Sequence, residues 1–127
     1  MKTLNDFKSG QKVETLFGKI MQVRQQAHLL HLSSKSYAEH KALNEFYDGL
    51  TDLADELIEM YQGQYGIANI ACPGTDDKKG VEFLTDAAKI FFDGHGAFAE
   101  KDSHLHNVLD EIVGLTYKTL YKVKNLK

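Results

Sequence analysis

The chain has 127 residues, with one Cys, one Pro, no Trp, 43% apolar and 26% charged side chains, which excludes a disordered composition and fits a single globular domain over residues 1–127. The lone Cys72 excludes an intrachain disulfide and any Cys-x-x-Cys zinc or redox motif, and fits a reducing, cytoplasmic compartment. The formal charge of −3 divides into net +2 over residues 1–12, net +4 over residues 118–127 and net −9 over the body between them, so cations suit this surface and nucleic-acid contact through the lysine ends is expected to be weak or absent.

No run approaches the length of a membrane span, and the first twelve residues lack the apolar core of a signal peptide, so neither is expected. A first helix is predicted from about Val13 to Ser33, because Val13, Leu16, Phe17, Ile20, Val23, Ala27 and Leu30 recur at helical spacing. A second is predicted from about Ser36 to Gly63, opened by the capping box Ser36-x-x-Glu39 and carrying Leu43, Phe46, Leu50, Leu53, Leu57 and Met60 inward. The link of two or three residues makes these two helices antiparallel neighbours. Residues 67–80, with Pro73-Gly74 at their centre, read as a crossover loop, and a strand at Ile67–Ala71 is discounted for want of a partner. A third helix is expected from about Val81 to Phe92, with Leu84, Ala88 and Phe91 inward, and the run Asp93-Gly94-His95-Gly96 ends or kinks it. The fourth is expected from about Ser103 to Lys124, capped by Asp102 or Ser103, with Leu105, Val108, Leu109, Ile112, Leu120 and Val123 inward. This order predicts an all-α four-helix bundle, and the long second-to-third connection favours ferritin-like topology.

Polar residues interrupt the apolar faces of the first two helices. His28 and His31 lie near the end of the first, and His40 lies early in the second. On the second helix His40, Asn44, Tyr47, Thr51 and Asp55 fall within an arc of about 80°, with Glu59 one turn beyond Asp55. Imidazoles and carboxylates together are a ligand set for Fe, Mn or Zn. Taken singly, such residues are ordinary hydrogen-bonded core histidines or a solvated acidic face. His40 and Asp55 stand about 22 Å apart along one helix, whereas metal–ligand bonds are about 2 Å. One chain therefore cannot bring them to one metal. Two antiparallel copies of the second helix would, with a two-fold axis near Gly49 and Leu50, and this arrangement predicts paired sites at a dimer interface.

The stretch AHLLHLSSKSYAEHKALNEFYDGLTDLADELIE resembles the Dps family, the mini-ferritins. The family's ferroxidase motif is matched by His28, by His40 twelve residues on, and by Asp55 and Glu59 as its D-x-x-x-E pair; Asn44 stands where the family has an acid, and Leu29 where many members have Trp. The resemblance covers residues 13–63 in detail and the remainder as helix pattern. It implies a ferritin-like fold and a homo-oligomer of two-fold dimers, up to a hollow dodecamer. It also implies intersubunit sites that bind iron and oxidise Fe(II) with peroxide or oxygen for storage. His28 and His40 would be neutral donors, Asp55 and Glu59 anionic ones, and Asn44 a carbonyl ligand or a hydrogen-bond partner of metal-bound water. Compact, divergent relatives encoded by bacteriophages, acting in the host cytoplasm, would look like this chain. A catalytically inactive structural or interaction protein on the same scaffold is the alternative.

His31, one turn from His28, is open to three readings: a further metal ligand, a hydrogen-bond partner of a ligand, or a plain core residue. Tyr47 is a candidate redox or hydrogen-bonding neighbour of the site. His95 reads as a solvent-facing loop residue. His104 and His106 diverge by about 200° and read as ordinary residues of a first helical turn.

Overall fold

The computed structural model describes residues 4–127. It comprises α1 (Leu4–Ser33), α2 (Tyr37–Tyr65), α3 (Gly80–Asp93) and α4 (Ser103–Asn125), a single 3₁₀ turn at Gly94–Ala97 and, among the described residues, no strand. Lys2, one of the charges of the basic N-terminus, lies outside the described residues, as does the side chain of Lys8. Among the described residues no helix is long and apolar enough to cross a membrane.

The all-α four-helix expectation holds, with helix limits close to those read from the periodicity. α1 begins nine residues earlier than predicted, at Leu4 rather than Val13. α3 ends at Asp93, and the chain tightens into the 3₁₀ turn over Gly94–Ala97. Ser36 accepts from the Glu39 backbone N–H, as a capping serine does. The reciprocal half of the capping box is absent: the Ser36 N–H goes to Ser34 Oγ instead of the Glu39 carboxylate. Gly66 ends α2 with a φ of +101°, a conformation that a side chain would disfavour, and returns its N–H to the Gln62 carbonyl.

α1 and α2 are antiparallel across the short elbow of Ser34–Ser36. Arg24 meets Thr51, and the Phe17 and Tyr61 rings meet edge to face at 5.5 Å. α4 runs antiparallel to α2, joined by Lys122 to Glu45 at one end and His104 to Gln64 at the other. α3 packs on α4 and, through the 3₁₀ turn, on α1, where Leu16 lies against Gly94. Phe17, Ile20, Leu43, Phe46, Leu50, Leu57, Leu84, Phe91, Leu105, Leu109 and Ile112 are completely or almost completely buried between the four helices. Leu30, Leu53, Met60, Leu120 and Val123, expected inward, are only half-buried at the rim. Thr116 and Thr119 enter the interior because each hydroxyl donates to a carbonyl one turn back, which satisfies it without water.

Residues 66–79 climb along the outer side of α1. The Asn69 N–H meets Glu14, Gly74 accepts from Gln22, and Asp76 meets Gln26. Gln26, 4% exposed, is the main anchor: its amide donates to Asp76 and to the Lys78 carbonyl, and its oxygen accepts the Asp76 N–H. Those bonds hold the Asp76 carboxyl below its usual range, with Gln26 the first cause and the Lys78 N–H the second. Gly18 is required for this docking, because a β-carbon there would run into the Ala71 carbonyl oxygen.

Candidate metal centre

Four rings gather where α1 ends and α2 begins. His31 and His40 stack at a centroid separation of 3.7 Å. The Tyr47 ring stacks on His28 at 4.3 Å and presents its edge to His31 at 5.4 Å. The local cause is the elbow: three residues fold α2 back on α1, and His31 and His40 sit at matching heights on either side of it.

His31 Nδ1 donates to the His40 carbonyl at 2.6 Å, and His40 Nδ1 donates to the His31 carbonyl at 2.7 Å. The His31 carbonyl belongs to the last turn of α1, where backbone acceptors lack helical partners. In a neutral ring a protonated Nδ1 leaves Nε2 as the lone pair, the form that binds metals. His31 is buried, and its ring bonds the His40 backbone while its own Nε2, like that of His40, has no hydrogen-bond partner among the described residues. His28 is half-buried, and neither of its ring nitrogens is bonded to a described residue.

Asn44 is half-buried, and its side-chain oxygen accepts the Tyr47 hydroxyl at 2.7 Å. Tyr47 is thus a hydrogen-bonding neighbour of Asn44. Asn44 already spends one acceptor site on it. Thr51 accepts the Arg24 Nε–H at 2.6 Å and donates to the Tyr47 carbonyl, so a fixed cation lies within the polar stripe. Asp55 and Glu59 are exposed on the outer side of α2. They do not join His28 and His40: among the described residues, no group of three or more His, Cys, Asp or Glu is positioned to hold a metal within one chain.

Gly49 lies on the α2 face that packs against α4. It accommodates the chain's own α4, since a β-carbon at position 49 would lie 3.0 Å from Leu115 Cδ2. Leu29, Leu32 and Tyr37 are exposed apolar residues beside the elbow, at 45%, 66% and 75%.

Three groups escaped the sequence reading, the first two of them outside this centre. Asp102 occupies the N-cap position of α4, but its side chain caps nothing; it accepts from Tyr65 and Gln64 at the other end of the bundle and is 3% exposed. His95 and His106, read as ordinary surface residues, contact each other at 2.7 Å. Arg24 carries no periodic or motif signal that would have found it.

The family of unknown function DUF5856 matches residues 31–123. An uncharacterized 14.6 kDa protein from the mobD-ri intergenic region of Enterobacteria phage T4 is 26% identical over 110 residues, which span 87% of this chain and 86% of that protein. No solved structure matches the chain.

Proposed function

We propose, from the premise that this chain belongs to the family of unknown function DUF5856, that it is an iron-binding protein of mini-ferritin type. On this reading, Fe(II) is its substrate at sites shared between two subunits. The observation that carries the reading is His40, pinned through Nδ1 by the His31 carbonyl with Nε2 left over, beside a His28 that has no described hydrogen-bond partner. Imidazole nitrogen and carboxylate oxygen are donors suited to iron. His28 and His40 of one chain would hold the metal with Asp55 and Glu59 of another, and bound iron would supply the electron passed to peroxide or oxygen. Asn44 and Tyr47 would lie beside the metal rather than replace a carboxylate.

Other features support the reading. The connection over 66–79 returns along α1, as a ferritin-like crossover would. Exposed Leu29, Leu32 and Tyr37 flank the histidines, where a two-fold partner would cover them. The similarity to a phage T4 protein supports a phage-type member of compact size, working in the host cytoplasm.

A second reading, an inactive interaction protein on this scaffold, is favoured by one observation. The Arg24 guanidinium sits in the stripe, and its charge opposes a bound cation. Subunit complementation separates the two. His40→Ala and Asp55→Ala should each abolish tight Fe(II) binding, measured by anaerobic equilibrium dialysis, and the mixed proteins should recover a fraction of the sites after subunit exchange. Binding retained by either variant removes that residue from the site. No recovery after verified exchange refutes the shared site.

A further inference from the structure

We infer that His95 and His106 share a single proton and form a pH-sensitive clasp between the 3₁₀ turn and α4. Their Nδ1 atoms are 2.7 Å apart, their ring planes differ by 9° and their centroids are 4.9 Å apart. Two ring radii plus the 2.7 Å contact account for the whole centroid separation, so the rings meet edge to edge in nearly one plane. A hydrogen bond between two imidazoles has that geometry; a face-to-face stack does not.

The outer nitrogens fix the proton count. His95 Nε2 lies 2.8 Å from an Asp110 carboxylate oxygen, and His106 Nε2 lies 3.0 Å from the Ala99 carbonyl. Carboxylate and carbonyl oxygens only accept, so each Nε2 must carry a hydrogen. The contact between the two Nδ1 atoms needs one hydrogen more. Three hydrogens on four nitrogens is one more than two neutral imidazoles hold. The pair therefore carries one positive charge, matched by Asp110.

Either change of protonation breaks this chain of bonds. With the proton lost, one of the three contacts has no hydrogen. With a second proton gained, two N–H groups and two positive charges face each other across 2.7 Å. The clasp is therefore closed only in the singly protonated form and opens towards both acid and alkali.

The surroundings show what it fastens. Asp110 comes from α4. α3 presents the Phe92 ring edge to His95 at 6.2 Å, followed by Asp93, which is paired with Lys89. The connection to α4 supplies the Ala99 carbonyl, with Glu100 and Lys101 beyond it, and the Phe98 ring, which is perpendicular to His106 at 5.9 Å and 8% exposed. On the α1 side, Lys12 and Lys19 line the groove beside Gly94 and Gly96. Opening the clasp releases the turn that keeps Phe98 over the core.

The test compares urea unfolding of the full chain and of His95→Asn across a pH series. The stability difference should be greatest at an intermediate pH and shrink towards both acid and alkali; a difference that is flat with pH overturns the proposal. Asp110→Asn changes an exposed side chain and leaves the core intact, so it should fold. It should move the alkaline limb to lower pH, and an unmoved limb overturns the proposal. Imidazole nitrogen NMR of the unmutated protein gives a third arm, independent of folding by any variant. Hydrogen on both Nε2 atoms with coupled titration of the two rings supports the clasp, and independent titration overturns it.

Discussion

His31 and His40 hold one another by the backbone: each ring donates Nδ1–H to the other's carbonyl, at 2.6 and 2.7 Å, with the rings stacked at 3.7 Å. This pairing locks the elbow between α1 and α2 and sets which nitrogen of His40 remains for a ligand. The His40 ring is oriented by the His31 backbone carbonyl, and the His31 ring ties down the His40 backbone in return.

His31→Ala should destabilise the chain by about 2 kcal/mol, since it removes a hydrogen bond and leaves a buried void. His31→Asn should recover part of that loss, because its amide can donate in place of Nδ1. Urea unfolding of the three proteins checks the order.

Asn44→Asp should tighten Fe(II) binding by about tenfold, roughly 1.4 kcal/mol, because a charged oxygen would stand one turn from His40. The Tyr47 hydroxyl that donates to Asn44 would donate equally to the new carboxylate. On the proposed shared site, the metal-free protein should melt lower and the iron-loaded protein higher, since the added negative charge would face the carboxylates of a second chain when the site is empty. Calorimetry with and without iron measures both.

Gly49→Leu should lower folding stability by about 1–3 kcal/mol at every protein concentration, because the new side chain overpacks against Leu115. Gly49→Ala should lie near wild type, the better helix propensity of about 1 kcal/mol offsetting a tight contact. Unfolding at two concentrations distinguishes this from a dimer effect, which would grow on dilution.

Tyr65→Phe should cost stability at neutral pH and less of it in acid. The Tyr65 hydroxyl and, after it, the Gln64 amide hold the Asp102 carboxyl below its usual range. A carboxyl depressed in the folded state stabilises above its ordinary pKa and loses that contribution as pH falls through the lower folded value. Without Tyr65 that contribution is smaller: stability should be about 1 kcal/mol lower at neutral pH, and the gap to wild type should close as pH falls below the ordinary carboxylate range. Conversely, the bond to Asp102 and then burial push the Tyr65 hydroxyl up to about 12. Its contribution is whole below the ordinary tyrosine value of about 10 and is lost as pH rises from there through 12. Acid unfolding curves test the first effect, and ultraviolet titration of the tyrosines tests the second.

The helices were legible because burial imposes a period. Phe17, Phe46, Leu84, Leu109 and their neighbours repeat at helical spacing, and Ser36, Gly66 and Pro73 mark the breaks through local backbone chemistry. The histidines of the candidate centre were legible for a similar reason, as polar residues interrupting an apolar stripe. Residues whose partners are distant in sequence were not. Gln26 binds fifty residues away at Asp76, Asp102 binds 37 residues back at Tyr65, and His95 finds His106 across a turn.

By itself the sequence determined the all-α class, the antiparallel pairing of α1 with α2, and the polar stripe from His40 to Asp55, since these follow from periodicity and link length along one chain. Only the tertiary structure decided that His31 anchors His40, that Tyr47 occupies the oxygen of Asn44, that Gly49 makes room for Leu115, and that Asp102 leaves its cap to accept from Tyr65. The physical reason is that hydrogen bonds and steric contacts act over about 3–4 Å. Which side chains come that close depends on how whole helices pack, and no local pattern records it.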